Sequence, residues 1–278
     1  MLTEPERRTM RATAVRRTAL AASAAALALL ATACSGSSDA DGKDGKDEKG
    51  AANGSSSAPK TPAKALTAAE LEKATLAQGD VEGSKVTKAG PADEVPADGV
   101  KVDKEACLPV AHALSGVAQE GAVATTKRKV IDEPKTDGEK SLEDAAKGEG
   151  ADAFKDAFNL TSTFVALSSY EGSAGPDAFA ALKKAAADCA GGFTATVAGT
   201  PTKVVSMTEE KITGGDEALA WTVTSESDGA TAPVKLVALR KGGSVATFFA
   251  FNLAAAGGED VTFELPTKVV AAQDKKLA

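Results

Sequence analysis

The spacing of apolar residues changes along the chain and divides it into three parts. Residues 19–30 form an almost unbroken apolar run, whereas residues 35–64 contain no apolar periodicity and are rich in Gly, Ser, Ala and alternating charges. From about residue 65 onward, stretches with the helical period and stretches with the strand period follow one another. The pattern predicts an N-terminal targeting segment over 1–33, a disordered tether over 34–64 and one folded domain over 65–278.

Helix signals occur in four segments of the folded part. Thr67 and Glu70 have the spacing of a capping box, in which each side chain bonds to a free backbone amide at the helix start. Pro109 lies inside the second segment and allows its helix to begin only at Leu108. The predicted helices cover residues 67–78, residues 103–114, a segment from about 177 to 190, and a segment from 266 to 276.

Strand signals are concentrated after the second helix. Leu219, Trp221 and Val223 alternate with smaller or polar residues, as expected of a half-buried strand. The predicted strands cover residues 122–131, 161–170, 202–212, 219–224, 233–240 and 245–253, and residues 133–150 are predicted to be a charged loop. Consecutive strands joined by Gly-rich turns favour an α+β fold, a single domain with a mainly antiparallel sheet and helices packed on it.

The apolar run at the N-terminus has the features of an export signal. It follows five arginines and is only 12 residues long, too short for a membrane-spanning helix, which needs about 20. The segment from Leu30 to Cys34 resembles the bacterial lipobox, which implies cleavage before Cys34 and a diacylglycerol, with its palmitate-type chains, on that cysteine. The alternative is an ordinary signal peptide that leaves a free thiol. Translation from Met1 or Met10, and general or twin-arginine export, are both compatible with this region.

Two cysteines, Cys107 and Cys189, are left after the lipid cysteine. In an exported chain such a pair favours a disulfide, and the alternative is two buried free thiols. A bridge would connect the part of the chain that has no aromatic residues to the part that contains all of them. The pair therefore supports one domain.

Composition excludes several kinds of function. The formal net charge of −7 leaves no basic surface for nucleic acid. His112 is the only histidine, which leaves little for a zinc site or a His-dependent triad, and nucleotide-binding motifs are absent. An ordinary, partly exposed histidine is the simpler interpretation of His112, and a general base is the alternative. Paired carboxylates at 209–210 and 216–217 flank a turn and are typical of a solvated hairpin tip, the alternative being a cation site. We predict no cofactor, no metal and no enzymatic activity, and a carboxylate-based hydrolase is the least favoured interpretation.

The aromatic residues offer a candidate ligand site. Phe248, Phe249 and Phe251 lie close together on one predicted strand and divide between its two faces. Ordinary core packing is the simpler interpretation. The functional alternative is an apolar cleft for a small ligand, walled by Trp221, Phe249, Phe251 and Tyr170.

Several features together resemble the secreted lipoproteins of high-GC actinobacteria: the Ala-rich signal with its lipobox, the charged tether, and the segments 107–114 and 179–193. The folded part is similar to the extracellular sensor domain of mycobacterial PknH-type kinases, in which two disulfides are usual and only one is possible here. The resemblance implies an α+β fold with a ligand-binding cleft. We therefore expect a non-catalytic lipoprotein, anchored at the extracellular face of the cell membrane, that binds a small ligand or an envelope protein. The alternative is a structural or interaction protein of the envelope without a small ligand.

Overall fold

The structure is a computed structural model that describes residues 64–133, 159–227, 229–257, 261 and 263–277. The predicted signal peptide, the lipid cysteine Cys34, nearly all of the tether and nearly all of the predicted loop over 133–150 lie outside the described residues.

Five α-helices occur in the described part of the chain. The capping box is present, because the Glu70 amide donates to the Thr67 hydroxyl over 3.3 Å and the Thr67 amide donates to the Glu70 carboxylate over 2.8 Å. The helices are α1 (Ala68–Ala74), α2 (Leu108–Leu114), α3 (Ala174–Asp188), α4 (Leu253–Ala256) and α5 (Thr267–Lys276). Short 3₁₀ turns cover Pro91–Asp93, Ala97–Gly99 and Glu105–Cys107. Within this part of the chain no helix is long and apolar enough to span a membrane.

Two helix boundaries differ from the prediction. Helix α1 ends four residues early, because Thr75 takes an extended conformation and both Thr75 and Leu76 are buried. Helix α3 begins at Ala174, so that Pro176 lies inside its first turn, where a missing backbone donor costs nothing. The start of α2 at Leu108 agrees with the position that Pro109 allows.

Nine strands of the described residues form one open antiparallel sheet in the order β1-β3-β4-β9-β8-β7-β6-β5-β2. The strands are β1 (Ser84–Lys88), β2 (Val100–Val102), β3 (Ala122–Asp132), β4 (Thr161–Tyr170), β5 (Phe193–Val197), β6 (Thr200–Glu210), β7 (Glu217–Ser227), β8 (Ala230–Lys241) and β9 (Ser244–Asn252). The α+β prediction with a mainly antiparallel sheet is confirmed. Strands β1, β2 and β5 were not predicted, and the predicted strand over 245–253 ends one residue earlier because Leu253 begins α4.

Helices pack on both faces of the sheet. On one face α2 and α3 contribute Val110, Phe179 and Leu182 to a core with Trp221 and Leu236. On the opposite face α1 and α5 pack against another set of buried sheet residues, and this second core contains Leu71, Val269, Val270, Leu239 and Phe248. Burial on both faces explains why β8 and β9 are apolar in consecutive positions rather than alternating.

The predicted disulfide is present between Cys107 and Cys189. It joins the 3₁₀ turn before α2 to the residue that ends α3, with the two Cα atoms 5.8 Å apart. Both cysteines are buried in the core beneath the two helices. The bridge therefore fixes the two helices of this face to each other.

Residues 89–99 connect β1, at one edge of the sheet, to β2, at the other. This connection runs over the face that carries α2 and α3, because Val95 packs against that core. Its carboxylates pair with β3: Asp93 is 2.7 Å from the Lys129 ammonium, and Glu94 is 2.7 Å from that of Lys127. The connection is thus attached to β3 just after β1 ends.

Candidate functional site

Three of the four residues predicted to wall an apolar cleft lie together on the face that carries α2 and α3. Strand register places Trp221 beside Leu236, Leu236 beside Phe249, and Phe249 beside Phe164. The ring of Phe251 lies 5.8 Å from that of Phe249 and 6.2 Å from that of Phe164. Phe164 of β4 completes this row, and the cluster of phenylalanines on β9 gave no sequence signal for a partner on another strand.

Burial differs along this row. Trp221 is 5 % exposed, and Phe249 and Phe251 are partly buried against the same core cluster. Tyr170 lies six residues further along β4 than Phe164, about 20 Å away at the usual rise of a strand. Its hydroxyl donates to the Gln119 carbonyl over 3.4 Å, and burial raises the pKa of the phenol to about 12. The structure thus separates Tyr170 from the other three residues, and a ligand cleft between them stays a prediction.

Three of the four acids that flank the β6–β7 turn, Glu210, Asp216 and Glu217, are engaged with cations of the sheet. Arg240 lies 2.9 Å from Asp216 and 2.8 Å from Glu217, and Lys235 lies 2.8 Å from Glu210. The ion pair with Lys235 and a hydrogen bond from Thr222 lower the pKa of Glu210. In the described part of the chain no group of three or more His, Cys, Asp or Glu side chains is arranged to hold a metal ion. These acids act as partners of Arg240 and Lys235.

A cavity of about 380 Å³ lies where β1 ends and β3 continues beyond it. We call it the edge cavity. Val95, Val117 and Ala118 give it an apolar side, and Thr125 and Lys127 of β3 line it together with Glu94. Glu72, Lys88, Thr126 and Arg128 complete the wall towards α1. This site combines charged, polar and apolar groups within the size range of small-ligand sites.

Arg128 forms the most buried part of the cavity wall and is only 6 % exposed. Its Nε donates to the Leu76 carbonyl over 2.8 Å and its Nη2 to Glu72 over 2.8 Å. Its Nη1 donates to the Thr126 hydroxyl over 3.2 Å and to the Lys127 carbonyl over 2.9 Å. Because every guanidinium nitrogen has an acceptor, the charge is compensated without a ligand.

Glu72 connects this arginine to the end of β1. Its carboxylate accepts hydrogen bonds from the Lys88 ammonium and, over 2.8 Å, from the Thr126 hydroxyl. These bonds, together with Arg128, lower the pKa of Glu72 to about 2. Sequence reasoning missed this network, because Glu72, Lys88 and Arg128 come from three elements that only the sheet topology brings together.

The backbone of β3 is open along the edge cavity. The Ala89 amide donates to the Lys127 carbonyl over 3.4 Å, so the backbone groups of Lys127 face the β1 side of β3. Alternate residues of a strand direct these groups to the same side, and those of Thr125 therefore face this side as well. The two hydroxyls of Thr125 and Ser168 are 2.9 Å apart, as expected where opposite residues do not share backbone hydrogen bonds. Among the described residues no main-chain or side-chain partner binds the Thr125 backbone on this side.

A second cavity, of about 320 Å³, lies at the start of the described chain and is lined by Lys64, Lys241 and Lys276 among others. Two of these cations have partners in the fold. Lys241 is 3.0 Å from Asp274, and Lys276 is 3.1 Å from Asp80. The charges of this cavity are therefore largely paired, whereas the edge cavity borders the open backbone of β3.

Comparison with protein families and with characterised proteins gives no significant match in sequence. The fold is weakly similar to the crystal structure of the extracellular domain of PknH from Mycobacterium tuberculosis, with a TM-score of 0.45 and 12 % sequence identity. The match covers 77 % of this chain and 97 % of that chain. This weak similarity agrees with the resemblance expected above, and the function proposed below rests on the residues of this chain.

Proposed function

We propose that this protein is an exported lipoprotein, held at the extracellular face of the cell membrane by a diacylglycerol on Cys34. The observation that carries the proposal is the buried disulfide between Cys107 and Cys189. Such bridges form and persist in oxidising compartments outside the cytosol. The lipobox-like segment that ends at Cys34 supplies the anchor, and residues 35–64 supply a tether with a reach on the order of 30 Å.

The folded domain, in this proposal, is a non-catalytic binding module. Support comes from the edge cavity, which combines an apolar side with charged and hydroxyl groups, and from the open backbone of β3 beside it. Trp221 is nearly completely buried and offers little surface to a ligand, so the proposal places binding at the edge cavity rather than at the aromatic row.

The anchor is tested with the full chain expressed in a bacterial host fed an alkyne analogue of palmitate. The unaltered chain should carry the label and fractionate with membranes, whereas Cys34→Ser should be unlabelled and released. Ser37→Ala, a change in the tether, should behave as the unaltered chain. An unlabelled wild-type chain, or a Cys34→Ser variant that is still fully membrane-bound, would refute the lipid anchor.

The export part of the proposal has its own measurement. The intact mass of the unreduced chain should be lower than that of the reduced chain by two hydrogen atoms, and this difference should be absent in Cys189→Ser. Equal masses for the unaltered chain before and after reduction would contradict an oxidised pair in the cell envelope.

A further inference from the structure

We propose that the edge cavity binds a short extended peptide, which adds to the sheet as a strand beside Thr125 of β3 and in line with β1. The proposal rests on the proposed function, because it gives the chemistry of the partner that the binding module recognises. Its experiment does not depend on the lipid, so the peptide-binding proposal and the lipid-anchor proposal can fail separately.

The hydrogen-bonding groups that such a strand needs are in place. Strand β1 pairs with β3 from Ser84 to Lys88, and Ala89 adds one further bond to Lys127 before the chain turns away. The next residue of β3 with its N–H and C=O directed to this side is Thr125, which is exposed and lines the cavity. A peptide residue opposite Thr125 would exchange both backbone hydrogen bonds with it, as in any antiparallel pair.

The outer edge of β1, in contrast, is closed by a side chain. The Gln78 carboxamide accepts from the Val86 amide over 2.8 Å and donates to the Ser84 carbonyl over 3.3 Å. These two backbone groups are those that a further strand on β1 would use. Capping of this kind is how proteins protect a sheet edge from unwanted pairing. Among the described residues, the Thr125 backbone beside the cavity has no such cap.

The cavity limits the length of the occupant. Ala89 limits the cavity at one end. At the other end, the pairing of β3 with β4 shifts in register between Ala122 and Ala124, where a bulge interrupts regular pairing. Lys127 is already paired with Ala89, so the regular stretch that is left covers residues 124–126, about 10 Å at the rise of a strand. Three paired peptide residues fit this length, and a longer paired strand would meet the bulge.

The walls indicate which side chains the occupant carries. A residue opposite Thr125 would direct its side chain to the same face as Thr125, the face on which Val95 and Val117 pack. Its neighbours in the peptide would point to the other face, towards Glu72 and Lys88, whose opposite charges are paired with each other. The fitting sequence therefore alternates a small apolar residue with an uncharged polar one.

The test uses the full chain and the capped tetrapeptide Ac-Thr-Val-Thr-Val-NH2, with hydrogen exchange followed by mass spectrometry. Addition of the peptide should slow exchange in the fragment that contains residues 122–127 and leave fragments of β6 and β7 unchanged. The matched probe is the same tetrapeptide N-methylated on both valines, which removes the donors directed at β3. It should bind at least about tenfold more weakly, the effect of losing about one hydrogen bond.

Two variants separate the backbone of Thr125 from its side chain. Thr125→Pro removes the N–H and should abolish the protection, whereas Thr125→Val keeps the N–H, loses the hydroxyl and should bind within about threefold of the wild type. If Thr125→Pro does not fold, the comparison of the two peptides on the unaltered chain decides the question.

Three outcomes would overturn the proposal. The first is no protection of residues 122–127 at about 10 mM peptide, a concentration well above the Kd of even a weak complex. The second is equal binding of the methylated and unmethylated peptides, which would place the affinity in side chains alone. The third is protection of this fragment without peptide in a chain that sediments as a dimer, which would assign the β3 edge to a second copy.

Discussion

Two polar side chains within the fold, Arg128 and His112, differ in whether all their nitrogen atoms have hydrogen-bond partners. Each guanidinium nitrogen of Arg128 donates to an acceptor. The Nε2 atom of His112 is buried and has no hydrogen-bond partner among the described residues. Burial of a charge without a partner is costly, whereas a neutral imidazole loses much less. The fold therefore favours a charged Arg128 and a neutral His112.

The protonation of His112 should accordingly follow the burial of its ring. Burial lowers the pKa of His112 from its ordinary value of 6.5, and the opposing contributions of the Ala97 backbone and of Glu105 are smaller. The unfolded chain then binds more protons than the folded chain just below pH 6.5, so the contribution of His112 makes the fold less stable as the pH falls through this window. Because His112 is the only histidine of the chain, one imidazole resonance in an NMR titration reports its pKa directly.

A value below 6.5 in the folded chain, returning to about 6.5 in urea, is the expected result. His112→Leu should reduce the loss of stability between pH 7 and pH 5.5, while an exposed change such as Lys183→Leu should not. A folded-state pKa at or above the urea value would show that the ring is not held in its neutral form.

A backbone position provides a second test at this scale. Ala198 has φ +49° and is followed by Gly199 at φ +86°, in a two-residue hairpin that joins β5 to β6. Both positive values are those of a type I′ turn, for which Asn-Gly is the preferred pair. Ala198→Asn should stabilise the protein by about 0.5–1 kcal/mol in urea unfolding, because Asn tolerates this conformation better than Ala. Ala198→Val should do the reverse, and a gain of stability from both changes would show that the turn conformation is not the cause.

At the scale of secondary structure, the elements that could be predicted are those whose own residues show the spacing of apolar positions typical of a helix or a strand. In β7, Leu219, Trp221 and Val223 lie on the side of the sheet that α2 and α3 cover. The alternation of these apolar residues with smaller or polar ones is visible in the sequence, so this strand could be predicted. Strand β1 has the sequence Ser-Lys-Val-Thr-Lys with only Val86 apolar, and it becomes a strand because β3 pairs with it. The edge cavity could not be predicted for the same reason, since it is built from partners that are distant in the chain.

Helix α1 illustrates how tertiary contacts override a helical pattern. The capping box at Thr67 predicts its start, and Gly79, read as the C-terminal stop, predicts a longer helix that ends at residue 78. In the structure, Leu76 is fully buried, its carbonyl accepts from Arg128, and Gln78 bonds to the edge of β1. These three interactions require the chain to leave the helix at Ala74, and none of them is visible in the local sequence.

The cap that Gln78 places on β1 is testable by hydrogen exchange. Gln78→Ala exposes the Val86 amide and the Ser84 carbonyl, so exchange at Val86 should become faster and stability should fall by about 1 kcal/mol. Gln78→Glu retains an acceptor for the Val86 amide and should preserve most of its protection. Unchanged exchange at Val86 in Gln78→Ala would show that the side chain does not close this edge.

At the scale of the whole molecule, the disulfide connects parts of the fold that are far apart in the chain. Its cysteines are 82 residues apart, and the loop between them contains β3, β4 and α3. Because Cys107 follows β2 and Cys189 precedes β5, the bridge keeps these two neighbouring edge strands close together in the unfolded chain. This effect acts on the unfolded state, so contacts in the folded structure do not show its size.

Removal of the bridge should therefore cost much of the stability. In the chain-entropy model, closing a loop of this length contributes about 4–5 kcal/mol, against a total of about 5–15 kcal/mol for a typical domain. The double variant Cys107→Ala with Cys189→Ala should unfold at a markedly lower urea concentration than the oxidised wild type. Reduction of the wild type should lower its midpoint by a similar amount, because both treatments release the same loop, and reductant should not affect the double variant. A loss below about 1 kcal/mol in the double variant would mean that residual structure already restricts the unfolded chain as much as the bridge does.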